Sequence, residues 1–245
     1  MNRMNATPMR LNLKLTANTG DPVPYNHLHW LTGFLHRCVG ESTLHDQLSL
    51  YSFGWLDGGK RAEGGGGLAF PQGSTWRVSF HDARHAKRLI DGAMQEPRVF
   101  ADEEGNDDYG MRVFEIKEQE APAFNGSHRF KTDGGPVIAR RYREDGSREY
   151  LLSGEHPEAA AAVMTRVLRR KLTAAGYDQE HPESVTVQFD EMYPHARDKV
   201  ATVKGTDHKG SICPVVVEGT PEAVQFAWTV GAGELTGSGF GALVE

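Results

Sequence analysis

The sequence has few cysteines and no long apolar run, and each absence excludes a class of protein. Cys38 and Cys213 are the only two cysteines among 245 residues, too few and too far apart for a disulfide framework or a zinc module. No stretch approaches the ~18 consecutive apolar residues of a membrane-spanning helix, so no membrane partner is expected. Residues 1–10 contain neither an apolar segment nor a small-residue cleavage site, which argues against a signal peptide. We therefore expect a reduced protein in the cytoplasm.

Basic side chains are outnumbered as well. The chain has 27 Lys and Arg against 33 Asp and Glu, a formal net charge of −6. Because neutralising phosphates requires Lys and Arg, this balance disfavours an indiscriminate nucleic-acid binder. Net charge does not say where the charges lie, so an enzyme acting on small molecules is the first expectation unless a motif overturns it.

Apolar spacing in the first half predicts the element order β-α-β-β-α-β. Alternating residues predict strands over 10–16, 50–55, 76–80 and 111–116. Apolar residues at steps of three and four predict a helix over 28–38 that ends at Gly40. A second helix is expected to begin at an Asp82 N-cap and to stop before Pro97. This order is that of the ferredoxin-like arrangement.

The second half repeats the order without strong sequence identity to the first. Strands are expected over 135–142, 148–152, 185–189, 200–204, 212–217 and 240–244. Helices are expected over 156–176 and after Thr220, where a capping residue, a proline and an acid follow one another. The sequence therefore predicts an α+β protein of two tandem ferredoxin-like (RRM-like) halves. The predicted domains are residues 1–124 and 125–245, joined near residues 121–135.

A glycine-rich segment near the carboxyl terminus is the most informative stretch. Its glycines are Gly231, Gly233, Gly237, Gly239 and Gly241, and glycine permits positive φ and close approach of another backbone. Such a loop can present N–H groups to phosphate oxygens. A dinucleotide-binding loop would require a strand before the glycines and a helix after them, whereas here a helix precedes and only four residues follow. A flexible turn before the last strand is the plain alternative.

The pattern G-x-G-x5-G-F-G at this place, after a short helix of the second half, resembles that of the CRISPR repeat-processing endoribonucleases. These enzymes belong to the wider superfamily of repeat-associated RNA-binding proteins (RAMP). Weaker similarities lie at residues 9–11, 24–27, 44–46, 50–53 and 124–127. The resemblance therefore spans nearly the whole chain, from residue 9 to residue 244.

The resemblance implies a metal-independent endoribonuclease that cleaves CRISPR precursor RNA within its repeats to give guide RNAs. The ribose 2′-oxygen would attack the adjacent phosphate, leaving 2′,3′-cyclic phosphate and 5′-hydroxyl ends, with no cofactor and no metal ion. CRISPR repeat RNA is the expected partner, while subunits of a CRISPR effector complex and a second copy of the chain stay open. The alternative is a non-catalytic subunit of such a complex that only holds guide RNA. A metabolic ferredoxin-like enzyme would leave the glycine pattern unexplained.

By the same resemblance, His36 and His45 are the expected catalytic residues. Histidine suits this chemistry because its unperturbed pKa of about 6.5 lets it act as base or acid near neutral pH. On a helical projection His36 lies away from the apolar stripe and should face solvent or a cleft. Which histidine is acid and which is base stays open. Relatives have a lysine shortly after the loop histidine. Here residues 47–49 are Gln, Leu and Ser, so Lys60, a basic residue of the second half or the second histidine itself could compensate.

Three groups of basic residues are expected to hold the RNA backbone without reading its sequence. They are Arg166, Arg169 and Arg170 on the helix over 156–176, Arg140 and Arg141 in a predicted strand pair, and Lys199, Lys204 and Lys209 around a predicted hairpin. A solvated helix face is the alternative for the first group, and internal ion pairs with Glu144, Asp145 or Glu149 are the alternative for the second. Tyr51, Phe53 and Trp55 would either stack bases or be buried.

Overall fold

The computed structural model of the protein describes residues 7–18, 21–40, 48–101 and 109–245. The elements of the first half are β1 (Met9–Leu15), α1 (Leu28–Val39), β2 (Tyr51–Phe53), β3 (Lys60–Arg61), β4 (Leu68–Ala69), β5 (Ser74–Phe80), α2 (Ala83–Gln95) and β6 (Val113–Gln119). Those of the second half are β7 (Ser127–Thr132), β8 (Arg140–Tyr142), β9 (Arg148–Tyr150), α3 (Pro157–Ala174), α4 (Glu180–Ser184), β10 (Thr186–Phe189), β11 (Arg197–Val203), β12 (Thr206–Ile212), β13 (Val215–Glu218), α5 (Pro221–Val230) and β14 (Leu243–Val244). A 3-10 turn over Thr236–Ser238 lies between α5 and β14.

Two four-stranded antiparallel sheets share one strand order. The first sheet runs β2-β5-β1-β6 and the second runs β10-β13-β7-β14. The central strands are β1 and β5 in the first sheet and β7 and β13 in the second, which are the first and third of the four strands of each sheet in chain order. A helix follows each of these strands before the next strand of the same sheet begins. This is the ferredoxin-like βαββαβ order, so the prediction of two tandem ferredoxin-like halves is confirmed. The domain boundary at residues 124–125 stays a prediction.

Local sequence explains the helices of the first half. The apolar stripe of α1 places Leu28, Leu31 and Leu35 in the core, each 1% exposed or less. The Asp82 side chain accepts a hydrogen bond of 2.9 Å from the backbone N–H of Arg84 and so caps α2. No helix of the described residues is long and apolar enough to cross a membrane.

The first strand of the second sheet is β7, so the expected linker over 121–135 is wrong for these residues. Phe130 is the one fully buried residue of β7, and its neighbours are polar because they line a solvent-facing side of the sheet. The apolar alternation is therefore too weak to predict a strand. The stretch expected to form that strand, residues 135–142, instead ends in β8, which pairs with β9 as a separate two-stranded ribbon.

The hairpin of β11 and β12 is longer than the sequence predicts. Its turn is Lys204–Gly205, with φ of 48° and 76°, the left-handed pair that a two-residue hairpin turn prefers. The closing loop was expected over 205–210, and residues 206–210 are therefore strand instead. The strand expected over 212–217 is interrupted between β12 and β13 at Pro214, which has no N–H to donate.

The two halves are joined by side chains of the first sheet that reach the end of the second half. Arg10 of β1 is 3% exposed. It donates to Leu243 O at 2.9 Å and to Trp228 O, and its guanidinium stacks over the Trp228 ring at 3.5 Å. Ser52 Oγ donates to Thr229 O over 2.8 Å. The first sheet thus packs against α5, which places the glycine-rich loop that follows α5 beside β2.

Candidate functional site

His36 lies in the last turn of α1, at the point where this helix approaches β2. The side chain is half-buried, and its Nε2 lies 3.4 Å from Tyr51 Oη. Tyr51 Oη in turn donates to Gly237 O over 3.3 Å. Tyr51 Oη has one proton to donate, and which atom donates in its contact with His36 depends on the tautomer of the imidazole. His36 is thereby linked to the glycine-rich loop through one tyrosine.

Tyr51 and Phe53 are core residues and do not stack bases. They are 5% and 1% exposed, and each packs on aromatic neighbours of β5. Burial raises the pKa of Tyr51 to about 12, so its hydroxyl keeps its proton at neutral pH. Tyr51 is therefore suited to orient His36 and the loop.

The glycine-rich loop folds back on itself as a closed turn. Ala232 N donates to Gly241 O over 2.8 Å, and Gly241 N donates to Pro136 O over 3.0 Å. Gly231 and Gly241 have φ of 76° and 61°, and a Cβ at Gly231 would lie 2.6 Å from Gly241 O. Left-handed backbone and close approach together require glycine here.

All five glycines of the pattern are buried, and the expectation that they contact RNA stays a prediction. Gly231, Gly233, Gly237, Gly239 and Gly241 serve the packing of the loop, because neighbouring atoms fill the space that a side chain would need. The half-buried residues of the loop are Glu234, Leu235 and Ser238. Any contact of the loop with a ligand in this conformation therefore falls to these residues.

The loop is fitted against β2 and its flanks in the first half. A Cβ at Gly237 would lie 2.5 Å from Ser49 Oγ and 2.7 Å from Tyr51 Oη. Trp55 Nε1 donates to Gly239 O over 2.7 Å. Any side chain at position 237 would thus push the loop away from Tyr51 and, through it, from His36.

A buried lysine of the second half supports the same loop. Lys171 of α3 is 2% exposed, and its Nζ donates to Val230 O at 2.9 Å and to Thr236 Oγ1 at 2.7 Å. Thr236 Oγ1 donates onward to Tyr51 O over 3.0 Å. Burial lowers the pKa of Lys171 to about 7.

A pocket opens between the loop, α3 and the chain that leads into β2. Leu48, Ser49, Arg170, Thr236 and Ser238 are among its lining residues. Residues 41–47, which include His45, lie outside the described residues. The described chain stops at Gly40, just after α1, and resumes at Leu48, which lines the pocket.

The arginines of α3 line a groove between this helix and β10. Arg166, Arg169 and Arg170 border it together with Leu48. Arg169 is committed to the fold, since its guanidinium donates to Val185 O at 3.0 Å and to Glu183 O at 3.2 Å. Arg166 and Arg170 are exposed and form no ion pair with another described residue.

Internal ion pairs occupy the two arginines of the β8–β9 ribbon. Arg140 binds Glu234 at 2.8 Å, and Arg141 binds Glu149. The hydrogen bond from Arg141 is the main reason that the pKa of Glu149 falls to about 2. The expected ion-pair alternative therefore holds for Arg141, whereas Arg140 pairs with Glu234, a partner that the sequence did not suggest.

The lysines of the β11–β12 hairpin differ in how available they are. Lys199 Nζ lies 3.8 Å from the centre of the Trp55 ring, and Lys209 lies 3.7 Å from Asp198. Lys204, at the turn, is exposed. Of these three lysines, Lys204 has no ion pair with another described residue, and the other two already have intramolecular contacts.

Comparison with known proteins identifies the family. The family model of the carboxy-terminal part of CRISPR associated protein Cas6 matches residues 116–244, just over half of the chain. The chain belongs to the Cas6 family. Membership supports a role in CRISPR RNA processing. The comparison with curated proteins found no match.

Solved structures of Cas6 and related RAMP proteins share this fold. A Cas6-related protein of Pyrococcus furiosus gives a TM-score of 0.80 at 19% identity, over 97% of this chain and 98% of its own. A RAMP protein described as binding different RNA substrates gives 0.79 at 17%, over 97% and 100%. A Cas6 product complex of Thermus thermophilus gives 0.62 at 16%, over 97% and 99%. At these identities the likeness shows the fold alone.

Two lysines that could compensate for the lysine absent from residues 47–49 lie in different surroundings. Lys60 is exposed on β3, which pairs with β4 to form a two-stranded hairpin outside the two main sheets. Lys171, by contrast, belongs to the hydrogen-bond network that reaches Tyr51. No group of three or more His, Cys, Asp or Glu side chains within the described ranges is arranged to hold a metal ion.

Sequence reasoning missed Lys171 and Thr236 as parts of the Cas6 site. A signal for Lys171 was present, because it falls three residues after Leu168 and one before Leu172, on the apolar face of α3. A lysine on a buried face needs a polar partner. Thr236 carries no comparable signal, since its partner Tyr51 lies 185 residues away in sequence.

Proposed function

We propose that this Cas6 protein is a metal-independent endoribonuclease that cleaves CRISPR precursor RNA within its repeats to give guide RNAs. Family membership supports the RNA class and its processing. The observation that carries the proposal is the network joining His36, through Tyr51, to Gly237 of the glycine-rich loop. A group able to transfer protons in the first half thus adjoins the closed loop of the second half, without any cofactor being needed.

The reaction requires two proton transfers, and we assign them to His36 and His45. One imidazole takes the proton of the ribose 2′-hydroxyl as that oxygen attacks the neighbouring phosphate. The other protonates the departing 5′-oxygen, which leaves 2′,3′-cyclic phosphate and 5′-hydroxyl ends. Each transfer of this kind contributes ~10² to 10⁴ in rate. His36 Nε2 contacts Tyr51 Oη, and which histidine is acid and which is base stays open.

The described residues on either side of positions 41–47 support a role for His45. Gly40 N, at its start, donates to His36 O over 2.8 Å. Ser49, just beyond its end, adjoins Gly237. Seven residues, 41–47, therefore connect the end of α1, which carries His36, to a position beside the glycine-rich loop.

We place the RNA backbone along the exposed arginines of α3. Leu48 and Arg170 line both the groove beside α3 and the pocket under the glycine-rich loop, which makes the two continuous. Arg166, Arg170 and the Lys204 tip of the hairpin supply charges with no ion-pair partner among the described residues. Lys199, Lys209, Arg140, Arg141 and Arg169 would have to exchange an existing contact for phosphate, and the buried glycines shape the loop.

Cleavage of a repeat RNA in excess EDTA tests this proposal. We expect one discrete cut per repeat, with products that carry 2′,3′-cyclic phosphate and 5′-hydroxyl ends as read by mass spectrometry. Cleavage that needs an added divalent metal would contradict the mechanism. Tight binding without any cut would favour the alternative, a guide-RNA-holding subunit of a CRISPR effector complex. Size-exclusion chromatography of the same samples tells whether a second copy of the chain joins the complex.

A further inference from the structure

Lys171 presents an unusual combination of burial and polarity. Its side chain is 2% exposed and lies on the apolar face of α3 beside Leu168 and Leu172. Its two hydrogen-bond partners are a backbone carbonyl and a hydroxyl, Val230 O and Thr236 Oγ1. Burying an ammonium group without a carboxylate is costly, and methionine would fill a similar volume without that cost. The reason for a lysine at this position must therefore lie in the two groups to which it donates.

One bond holds the start of the glycine-rich loop, and the other holds its middle. Val230 is the last residue of α5, immediately before Gly231, and Thr236 opens the 3-10 turn that contains Gly237. Lys171 thus joins the start of the loop to its middle. Without this bridge, the carbonyl at the end of α5 would lose this buried donor, and the Thr236 hydroxyl would keep only its bond to Tyr51 O.

Thr236 passes the constraint to the first half. Its hydroxyl accepts from Lys171 and donates to Tyr51 O over 3.0 Å. The Tyr51 hydroxyl then contacts both Gly237 O and His36 Nε2. Four residues in series, Lys171, Thr236, Tyr51 and His36, connect the core of the second half to the histidine.

We propose that Lys171 is a positioning residue for RNA cleavage, which holds the glycine-rich loop and strand β2 in the register that lets Tyr51 orient His36. The inference rests on the proposed function. Lys171 borders the loop pocket, but its side chain is only 2% exposed and both of its hydrogen bonds go to the loop. Lys171 therefore acts through Thr236 and not on the substrate.

A matched pair of variants at Thr236 gives the sharpest test. Thr236→Val keeps the shape and removes the hydroxyl, whereas Thr236→Ser keeps the hydroxyl and removes a methyl. We expect Thr236→Val and Lys171→Met each to lower the single-turnover cleavage rate at saturating enzyme by ~10- to 100-fold, the cost of a misplaced catalytic group. The dissociation constant for the repeat RNA should change by less than ~3-fold, and Thr236→Ser should cut close to the wild-type rate.

Additivity distinguishes a shared role from two separate ones. The double variant Lys171→Met/Thr236→Val should be slowed by less than the product of the two single effects, because both changes break the same bond between Lys171 and Thr236. Lys87→Met, the same change at an exposed position of α2, is the control and should leave rate and binding unchanged. Wild-type rates in folded Lys171→Met and Thr236→Val, or effects that multiply in the double variant, would overturn the inference.

Hydrogen exchange separates this inference from the proposed function. We expect amides of residues 231–241 to exchange at least ~10-fold faster in Lys171→Met and Thr236→Val than in wild type or Thr236→Ser, because the loop loses a tether. If the wild-type protein cuts no repeat RNA, the proposed function fails, while unchanged exchange would independently refute the tether. Faster exchange with an undiminished cleavage rate would show that Lys171 holds the loop but does not position the catalytic group. If Lys171→Met does not fold, the Thr236 pair decides.

Discussion

Three buried ionisable side chains around the site are bound by backbone carbonyls. Lys171 donates to Val230 O, Arg10 to Leu243 O, and His27 Nδ1 lies 2.8 Å from Pro24 O. Burial lowers the pKa of all three, to about 7, 9 and 4 respectively. Each therefore depends on a local carbonyl whose position the fold sets, and each couples protonation to stability.

At the residue scale, His27 predicts a defined acid sensitivity. Its pKa is about 4 in the folded protein and about 6.5 when unfolded, so the unfolded chain binds the extra proton between these values. The free energy of unfolding should therefore fall as pH drops from 6.5 to 4, by at most ~1 kcal/mol per pH unit from this residue. Below pH 4 its contribution stops changing.

Urea unfolding of His27→Gln and wild type across this pH range measures the effect. The variant should lose less stability on acidification than the wild type. His29→Gln is the matched control, because His29 Nδ1 makes the same kind of local contact, 2.9 Å to Asn26 O, without full burial. Parallel pH curves for wild type and His27→Gln would contradict the assignment.

At the element scale, the glycine-rich loop is a packed turn whose shape depends on the absence of side chains. Gly241 has φ of 61°, and a Cβ there would overlap Ala232 O. Because the obstacle is backbone, it cannot move aside as a side chain would. We expect Gly241→Ala to lower the free energy of unfolding by more than ~1 kcal/mol, as measured by chemical denaturation.

Gly154→Ala provides the control for this prediction. Gly154 is exposed, and a Cβ there would meet no atom within 4 Å. The free energy of unfolding of this variant should stay within ~0.5 kcal/mol of wild type. Equal stability of Gly241→Ala and Gly154→Ala would mean that the loop does not have the tight conformation described.

A helix or strand could be predicted from the sequence where one of its faces is apolar. It could not be predicted where its place depends on pairing with strands distant in sequence. The stripe of α1 and the Asp82 cap of α2 are local signals, and both elements lie where the sequence places them. Strand β7 has a single fully buried side chain, Phe130, yet it lies in the middle of its sheet because β13 and β14 pair with it. Such partners are distant in sequence, and no periodicity within β7 reveals them.

The candidate site divides in the same way. His36 could be placed on an accessible face of α1 from helical spacing, and it is half-buried there. The glycine pattern could be recognised, but the burial of its glycines could not, because it results from packing against Pro136, Ser49 and Tyr51. In the network from Lys171 to Tyr51, Lys171 and Thr236 are 65 positions apart, and Thr236 and Tyr51 are 185 positions apart. No local sequence pattern encodes contacts over such distances.

At the scale of the whole molecule, an acidic protein must concentrate its available basic charge to hold RNA. The net charge is −6, and ion pairs occupy Arg140 and Arg141. Arg166 and Arg170 are exposed beside the α3 groove, and Arg170 also lines the loop pocket. RNA binding should therefore depend strongly on these two residues.

Salt dependence of RNA binding measures that contribution. The logarithm of the association constant should fall linearly with the logarithm of salt concentration, because neutralised phosphates release their counterions. In the double variant Arg166→Ala/Arg170→Ala we expect the slope to decrease by ~1 to 2, about one for each phosphate that the variant no longer neutralises. Arg88→Ala, at an exposed position of α2, should keep the wild-type slope. An unchanged slope in the double variant would move the RNA path away from α3.

The most direct test of the account compares histidine variants on a cognate repeat RNA in EDTA under single-turnover conditions. We expect His45→Ala to abolish the discrete cut while binding is largely retained, and His36→Ala to slow it by up to ~10² to 10⁴. His85→Ala, on α2, should cut like wild type. Robust cleavage by folded His45→Ala, or an undiminished rate for His36→Ala, would contradict the central claim that these two imidazoles carry the proton transfers.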